Sequence, residues 1–267
     1  MERQNVFKNK NYSLLFVGIF ASNIASVFYS FAVSFYILYI TGNNAFIQGV
    51  YLAMSGVVLL MGTIIGGVLA DRLDKAKLVY MMDYLKGFVI LATGLTFTFF
   101  TDLTLQLILL FVAGVVSSLI NAVFIPASNA LIRFIVTDEE LQQANSYLSS
   151  LHSFQNIIGI ILAGLLYTML DIHIIFILVG SLYIVSGFSE MFIKYNHEKT
   201  DHMITIKSVL IDFKDGFHYL KTKKAIVAII MAALFLNFFT NPIFSNGMTY
   251  FINTELSNGF LFDNIID

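Results

Sequence analysis

The sequence predicts an all-α membrane protein: a six-helix bundle, an amphipathic linker and one further transmembrane helix. Three observations carry that prediction. Apolar residues make up 58% of the chain against 12% charged, with a mean hydropathy of +0.81, whereas a soluble domain needs roughly a quarter of its residues charged to solvate its surface. The apolar residues fall in long uninterrupted runs, each with the roughly 20 residues that cross about 30 Å of hydrocarbon. Lysines and arginines gather in alternate loops, as their retention on the cytoplasmic side during insertion demands.

Taken in order, the runs predict helices at Tyr12 to Ile40, Ala45 to Ala70, Lys77 to Phe100, Leu103 to Phe134, Gln142 to Leu170, Ile172 to Tyr195 and Lys224 to Phe251. Arg3, Lys8 and Lys10 precede the first; Arg72, Lys75 and Lys77 separate the second from the third; Arg133 closes the fourth. Lys194, Lys199, Lys207, Lys214, Lys221, Lys223 and Lys224 lie between the sixth and seventh, and the intervening loops carry no basic residue. Lys86, inside the third helix, is the exception. The N-terminus is therefore expected in the cytoplasm, in a multi-pass protein of the plasma membrane with the lipid bilayer as its first partner. The chain divides into three regions: residues 1–195 as the bundle, 196–223 as a cytoplasmic linker, and 224–267 as a further helix with a short tail. Within the linker Ile206, Leu210, Phe213, Phe217 and Leu220 recur at helical spacing among charged residues, the pattern of a helix lying against the membrane or the bundle.

Several classes drop out. Without cysteine there are no disulfides, thiolate metal sites or cysteine nucleophiles. A formal net charge of −2 gives no footing for nucleic acid. His152, His173, His197, His202 and His218 form no metal-ligand spacing, no hydrolase or protease motif is present, and no cofactor is expected. The first apolar run is too long, and lacks the small-residue site, for a cleavable signal peptide. With no tryptophan, Tyr12, Tyr39, Tyr80, Tyr167, Tyr195 and Tyr250 are expected at the interfaces.

Helix contacts in lipid need small residues. Gly62 and Gly66, and Gly159 with Ala163 and Gly164, offer close approaches, while Pro126 removes a backbone donor and permits a kink. Asp83 and Lys86 share a helix face, which predicts a local charge pair with either a gating role or a snorkelling lysine at the interface. Asn23, Ser26, Tyr29, Asn121, His152, Gln155 and Asn156 are candidates to line a central cavity. His152 reads as the sole mid-helix ionisable group, either a proton carrier or a neutral ring bonded between helices. No carboxylate is placed at the midplane.

The segment Gly67-Val68-Leu69-Ala70-Asp71-Arg72-Leu73-Asp74-Lys75-Ala76-Lys77 resembles the G-x-L-a-D-r-x-G-r-k signature of the major facilitator superfamily. With Asp83 to Gly87, Phe124 to Ala127, Gln143 to Ser146 and Phe213 to Leu220, the chain is similar to the macrolide-efflux branch over about Tyr12 to Phe251. Asp74 stands where the signature has glycine and Lys75 where it has arginine. The resemblance implies a transporter bundle that exports small amphipathic compounds, such as macrolide-like drugs, by alternating access, with a proton as candidate coupling ion. It implies for Gly67, Asp71, Arg72 and Lys75 a gating motif whose charge pairs open and close as two bundles rock; a purely topogenic role for these charges stands beside it. The polar stretch after Phe251 is too short to cross again. The expected partners are therefore a missing C-terminal half or a second copy, and the alternatives are a truncated, non-transporting fragment or a membrane scaffold or regulatory subunit.

Overall fold

The computed structural model describes residues 5–195 and 222–242, together with 247 and 251. A short 3-10 turn (Val6–Lys8) leads into α1 (Lys10–Ile40), α2 (Ala45–Arg72), α3 (Lys75–Phe99), α4 (Leu103–Ile135), α5 (Asp138–Met169), α6 (Ile172–Glu190) and α7 (Lys224–Pro242). Helices α1 to α6 are each long and apolar enough to span a bilayer. Most of the expected amphipathic linker (196–221), Tyr250 and most of the chain beyond Pro242 lie outside the described residues.

The helix ends have local chemical causes. At the α1–α2 turn, Gly42 (φ +63°) and Asn43 (φ +64°) adopt the left-handed conformation that reverses the chain, and the Asn43 N–H donates to the Leu38 carbonyl at 2.7 Å. Asp74 caps α3 by accepting the Lys77 N–H at 3.1 Å, and Asp102 caps α4 by accepting that of Leu105 at 2.7 Å. The Glu140 carboxylate accepts the Thr137 N–H at 3.1 Å, so α5 starts at Asp138, ahead of the expected Gln142. The sixth helix stops at Glu190, short of the expected Tyr195.

The chain forms two compact units, residues 1–33 with 53–201, and residues 34–52 with 202–267. Within the first, α3 and α6 meet backbone to backbone. A methyl group on Gly87 would lie 3.0 Å from the Gly180 carbonyl, one on Gly180 2.9 Å from that of Gly87, and Gly94 and Gly187 face the His173 and Tyr80 carbonyls at 3.1 Å. Small residues make this approach possible where lipid supplies no hydrophobic drive.

Helix α2 meets α4 at Gly62 and Gly66. A methyl group on Gly62 would lie 2.8 Å from the Ala122 Cβ, and one on Gly66 would collide with the Ala122 carbonyl. That carbonyl is a particular one. Pro126, inside α4, has no N–H to return to the residue four positions earlier, so Ala122 loses its ladder donor and turns its oxygen to the Gly66 backbone. Gly159 packs on Val27 (3.2 Å) and Gly164 stands nearer open space, 3.7 Å from the Phe31 ring.

The end of this unit that carries the basic residues is sealed by the N-terminal segment. Val6 is fully buried and donates its N–H to the Gln143 side chain at 3.2 Å. The Phe7 ring packs on Tyr12, Phe16 and Tyr147 with centroids 4.9 to 5.4 Å apart. Tyr12 is fully buried against the bundle and donates to the Ala144 carbonyl at 3.0 Å. A buried phenol keeps its hydroxyl satisfied by such an acceptor.

Candidate functional site

Three polar sites stand out in the first unit. The first is the α2–α3 junction, where the signature-like segment lies. Asp71 is exposed on the last turn of α2, and Arg72 is half-buried beside it. Lys75 is buried. Its ammonium donates to the Asp71 backbone carbonyl at 3.4 Å and sits 4.7 Å over the Phe134 ring. The cation thus meets the negative end of the α2 dipole and the face of an aromatic ring. The Lys75 N–H donates to the Tyr195 hydroxyl at 2.7 Å, tying the start of α3 to the segment after α6. Burial, with Asp74 adding to it, pushes the Tyr195 phenol up. Asp74, the departure from the signature's glycine, is the α3 cap. Asp71, Lys75, Asn129, Ala130, Arg133 and Phe134 line a cleft of about 470 Å³. Nothing lies within 4 Å of a methyl group built on Gly67, so its role is not close packing within this unit.

The second site is buried between α1, α3, α4 and α6. Asp83 and Lys86 are 2% and 4% exposed. The Lys86 ammonium donates to Asn121 Oδ1 at 2.8 Å and lies 4.5 Å over the Tyr183 ring. A snorkelling lysine at the interface is therefore ruled out: its head is enclosed by α4 and α6. Asp83 lies beside the Ser186 hydroxyl and feels the charge of Lys86, and its Oδ2 has no hydrogen-bond partner among the described residues. Glu190, on the last turn of α6, is fully buried, and among the described residues neither carboxylate oxygen has a partner. Its side chain fills the space that a side chain on Gly18 would need.

Glu190 escapes the sequence reading, and it adds a second buried carboxyl beside the expected pair of Asp83 and Lys86. The signal was present: one acid closes the apolar run from Ile172, with Ser186 one turn earlier and Ser189 adjacent. Those serines bind α6 to α1, donating to the Gly18 and Leu14 carbonyls at 2.7 and 2.9 Å. Asn11 extends the seam, donating to the Lys194 carbonyl at 2.6 Å and accepting its N–H at 3.1 Å.

The third site is the polar face of α1 and α5. Asn23 and the exposed His152 join side chain to side chain at 3.0 Å, and Asn156 is exposed one turn further on. The other residues expected to share that cavity do not. Gln155 is buried and donates to the Phe20 carbonyl at 2.7 Å, closing the α1–α5 contact. Tyr29 is buried with its ring 5.7 Å from Phe176 on α6; Ser26 bonds Tyr183; Asn121 holds Lys86. The seven residues are divided because α1 turns Asn23 toward α5 but Ser26 and Tyr29 toward α6.

Among known proteins, the family model described as Major Facilitator Superfamily matches residues 14–262. An uncharacterized MFS-type transporter of Bacillus subtilis, YkuC, is 25% identical over 246 residues, covering 88% of this chain and 55% of its own length. Macrolide efflux protein A of Streptococcus pyogenes is 26% identical over 274 residues, covering 97% of this chain and 62% of its own. A second Bacillus subtilis MFS-type transporter, YvqJ, is 29% identical over 132 residues, 48% of this chain and 31% of its own. The chain thus spans a little over half the length of the first two relatives.

Proposed function

Because the chain belongs to the major facilitator superfamily, whose model covers residues 14–262, we propose that it serves in the export of small amphipathic compounds, macrolide-like drugs among them, by alternating access. The observation that carries the reading is the α2–α3 junction: a buried lysine held by the end of one helix and an aromatic face, above a cleft bearing Asp71 and Arg133. Such a contact is compact, charged and reversible, as a gate between rocking bundles requires. The likeness to macrolide efflux protein A supports the class of substrate.

In this reading the exposed α1–α5 face with Asn23, His152 and Asn156 forms one wall of the substrate path, and a second bundle supplies the other. The amides and the imidazole orient polar groups of a ligand whose apolar surface meets phenylalanine and tyrosine faces. The N-terminus and the α2–α3 junction lie in the cytoplasm, and the protein resides in the plasma membrane, a placement that the distribution of basic residues supports.

The test is accumulation of a fluorescent efflux substrate in a pump-deficient host producing the protein. Energy-dependent lowering of accumulation, lost in Asp71→Asn at matched membrane levels, is expected. Accumulation equal to that of the empty host overturns the export reading. Export that Asp71→Asn leaves intact reduces the junction charges to topology.

A further inference from the structure

We propose that Asp83 and Glu190 together hold one exchangeable proton, with Lys86 as their fixed counter-charge, in a site enclosed by α1, α3, α4 and α6. The site's use in transport rests on the exporter reading; its occupancy by a proton does not.

Charge and hydrogen-bond bookkeeping lead to this. Glu190 is fully buried and neither of its oxygens has a partner among the described residues. The serines one turn before it and beside it donate elsewhere, Ser186 to the Gly18 carbonyl and Ser189 to that of Leu14. Asp83 is 2% exposed, its Oδ2 is also unpartnered, and it lies beside the same Ser186 hydroxyl. Ser186 has one proton for two acceptors, the Gly18 carbonyl and Asp83, and a proton on the Asp83 carboxyl lets both contacts be hydrogen bonds.

Among the described residues, the other ionisable groups facing the pair are Lys86 and Tyr84 on α3 and Tyr183 on α6. Helix α1 contributes Gly18 and Ser26, and α4 contributes Asn121. Two carboxylates and one ammonium leave a single negative charge among buried side chains, which is strongly unfavourable. One proton cancels it, and two close carboxyl groups bind that proton as a pair. Glu190 rests on Gly18 of α1, so a shift of α1 relative to α6 would change its surroundings directly. The site is thereby coupled by contact to the helix that also carries Asn23.

Infrared spectroscopy of the purified full chain in lipid, at neutral pH, counts protonated carboxyl groups by their carbonyl stretch. The expected result is a deuterium-sensitive band equal to about one group per chain. Glu190→Gln and Asp83→Asn should each abolish it, since the remaining carboxylate then balances Lys86. Lys86→Met should raise it about twofold, and the exposed Glu139→Gln should leave it unchanged. Absence of the band in the parent protein overturns the proposal, as does its survival in both single carboxyl variants or its indifference to Lys86→Met. A band that collapses on adding sodium at constant pH also overturns it, in favour of a metal cation. Because the band is read without transport, an inactive protein that shows it refutes only the export reading. An active exporter without it refutes only the proton site.

Discussion

Replacing Gly66 by alanine tests the α2–α4 contact most directly. The added methyl group would collide with the Ala122 carbonyl oxygen, and would lie 2.6 Å from the Ala122 carbonyl carbon and 3.0 Å from the Val123 Cα. All three obstacles are backbone, so no rotamer change relieves them and the two helices must separate. Overpacking of this kind costs about 1–3 kcal/mol, and a rigid obstacle puts Gly66→Ala toward the upper end. At about 2–4 °C per kcal/mol, the scaling of globular domains of this size, the midpoint should fall by roughly 2–12 °C. Gly67→Ala is the internal control, because nothing lies within 4 Å of the added methyl group. The assay is loss of helical circular dichroism on heating in a mild detergent, with the residual monomer checked by size exclusion. If Gly66→Ala melts with the parent, or Gly67→Ala falls as far, the close approach of α2 to the Ala122 carbonyl is refuted.

The caps, the N-terminal seal and the orientation give further expected outcomes. Asp74→Ala removes the α3 cap and should cost about 1 kcal/mol of stability, read as a lower midpoint in the same melt. Tyr12→Phe removes the hydrogen bond that ties α1 to the Ala144 carbonyl and should cost about 0.5–1.5 kcal/mol, with faster proteolysis near the N-terminus as a second readout. Single cysteines introduced into this cysteine-free chain should label with an impermeant thiol reagent from outside at Asn43 and not at Glu139; the reverse pattern inverts the proposed orientation.

Length and spacing made the helices legible, because each span has to hide its own backbone from lipid and therefore runs for about twenty residues or more. The boundaries were less so. The start of α5 is set by Glu140 folding back on Thr137, in a charged stretch that looks like loop when only hydropathy is followed. The signature-like segment was legible as a motif, yet its departure at Asp74 makes sense only once the carboxylate is seen capping α3. The polar residues were hardest to place. Helix α1 is apolar on nearly every side, so periodicity cannot say that Asn23 meets α5 while Ser26 and Tyr29 meet α6. Glu190 was passed over because topology is written in lysine and arginine, and an acid contributes little to that rule. The seam between α3 and α6, by contrast, could have been seen in Gly87, Gly94, Gly180 and Gly187, had glycines been compared between helices as well as within them.

The enclosure of Lys86 bears on how the chain enters the bilayer. Synthesis proceeds from the N-terminus, so α3 is made before α4 delivers Asn121 and well before α6 delivers Tyr183, Ser186 and Glu190. During that interval its ammonium has one opposite charge within a helical turn, Asp83, and an (i, i+3) pair of this kind can form within a single helix. The two residues would then be temporary companions during insertion, parted in emphasis when later helices arrive to surround them. In a chain stalled on the ribosome after α3, Asp83→Ala should accordingly impair insertion of that helix.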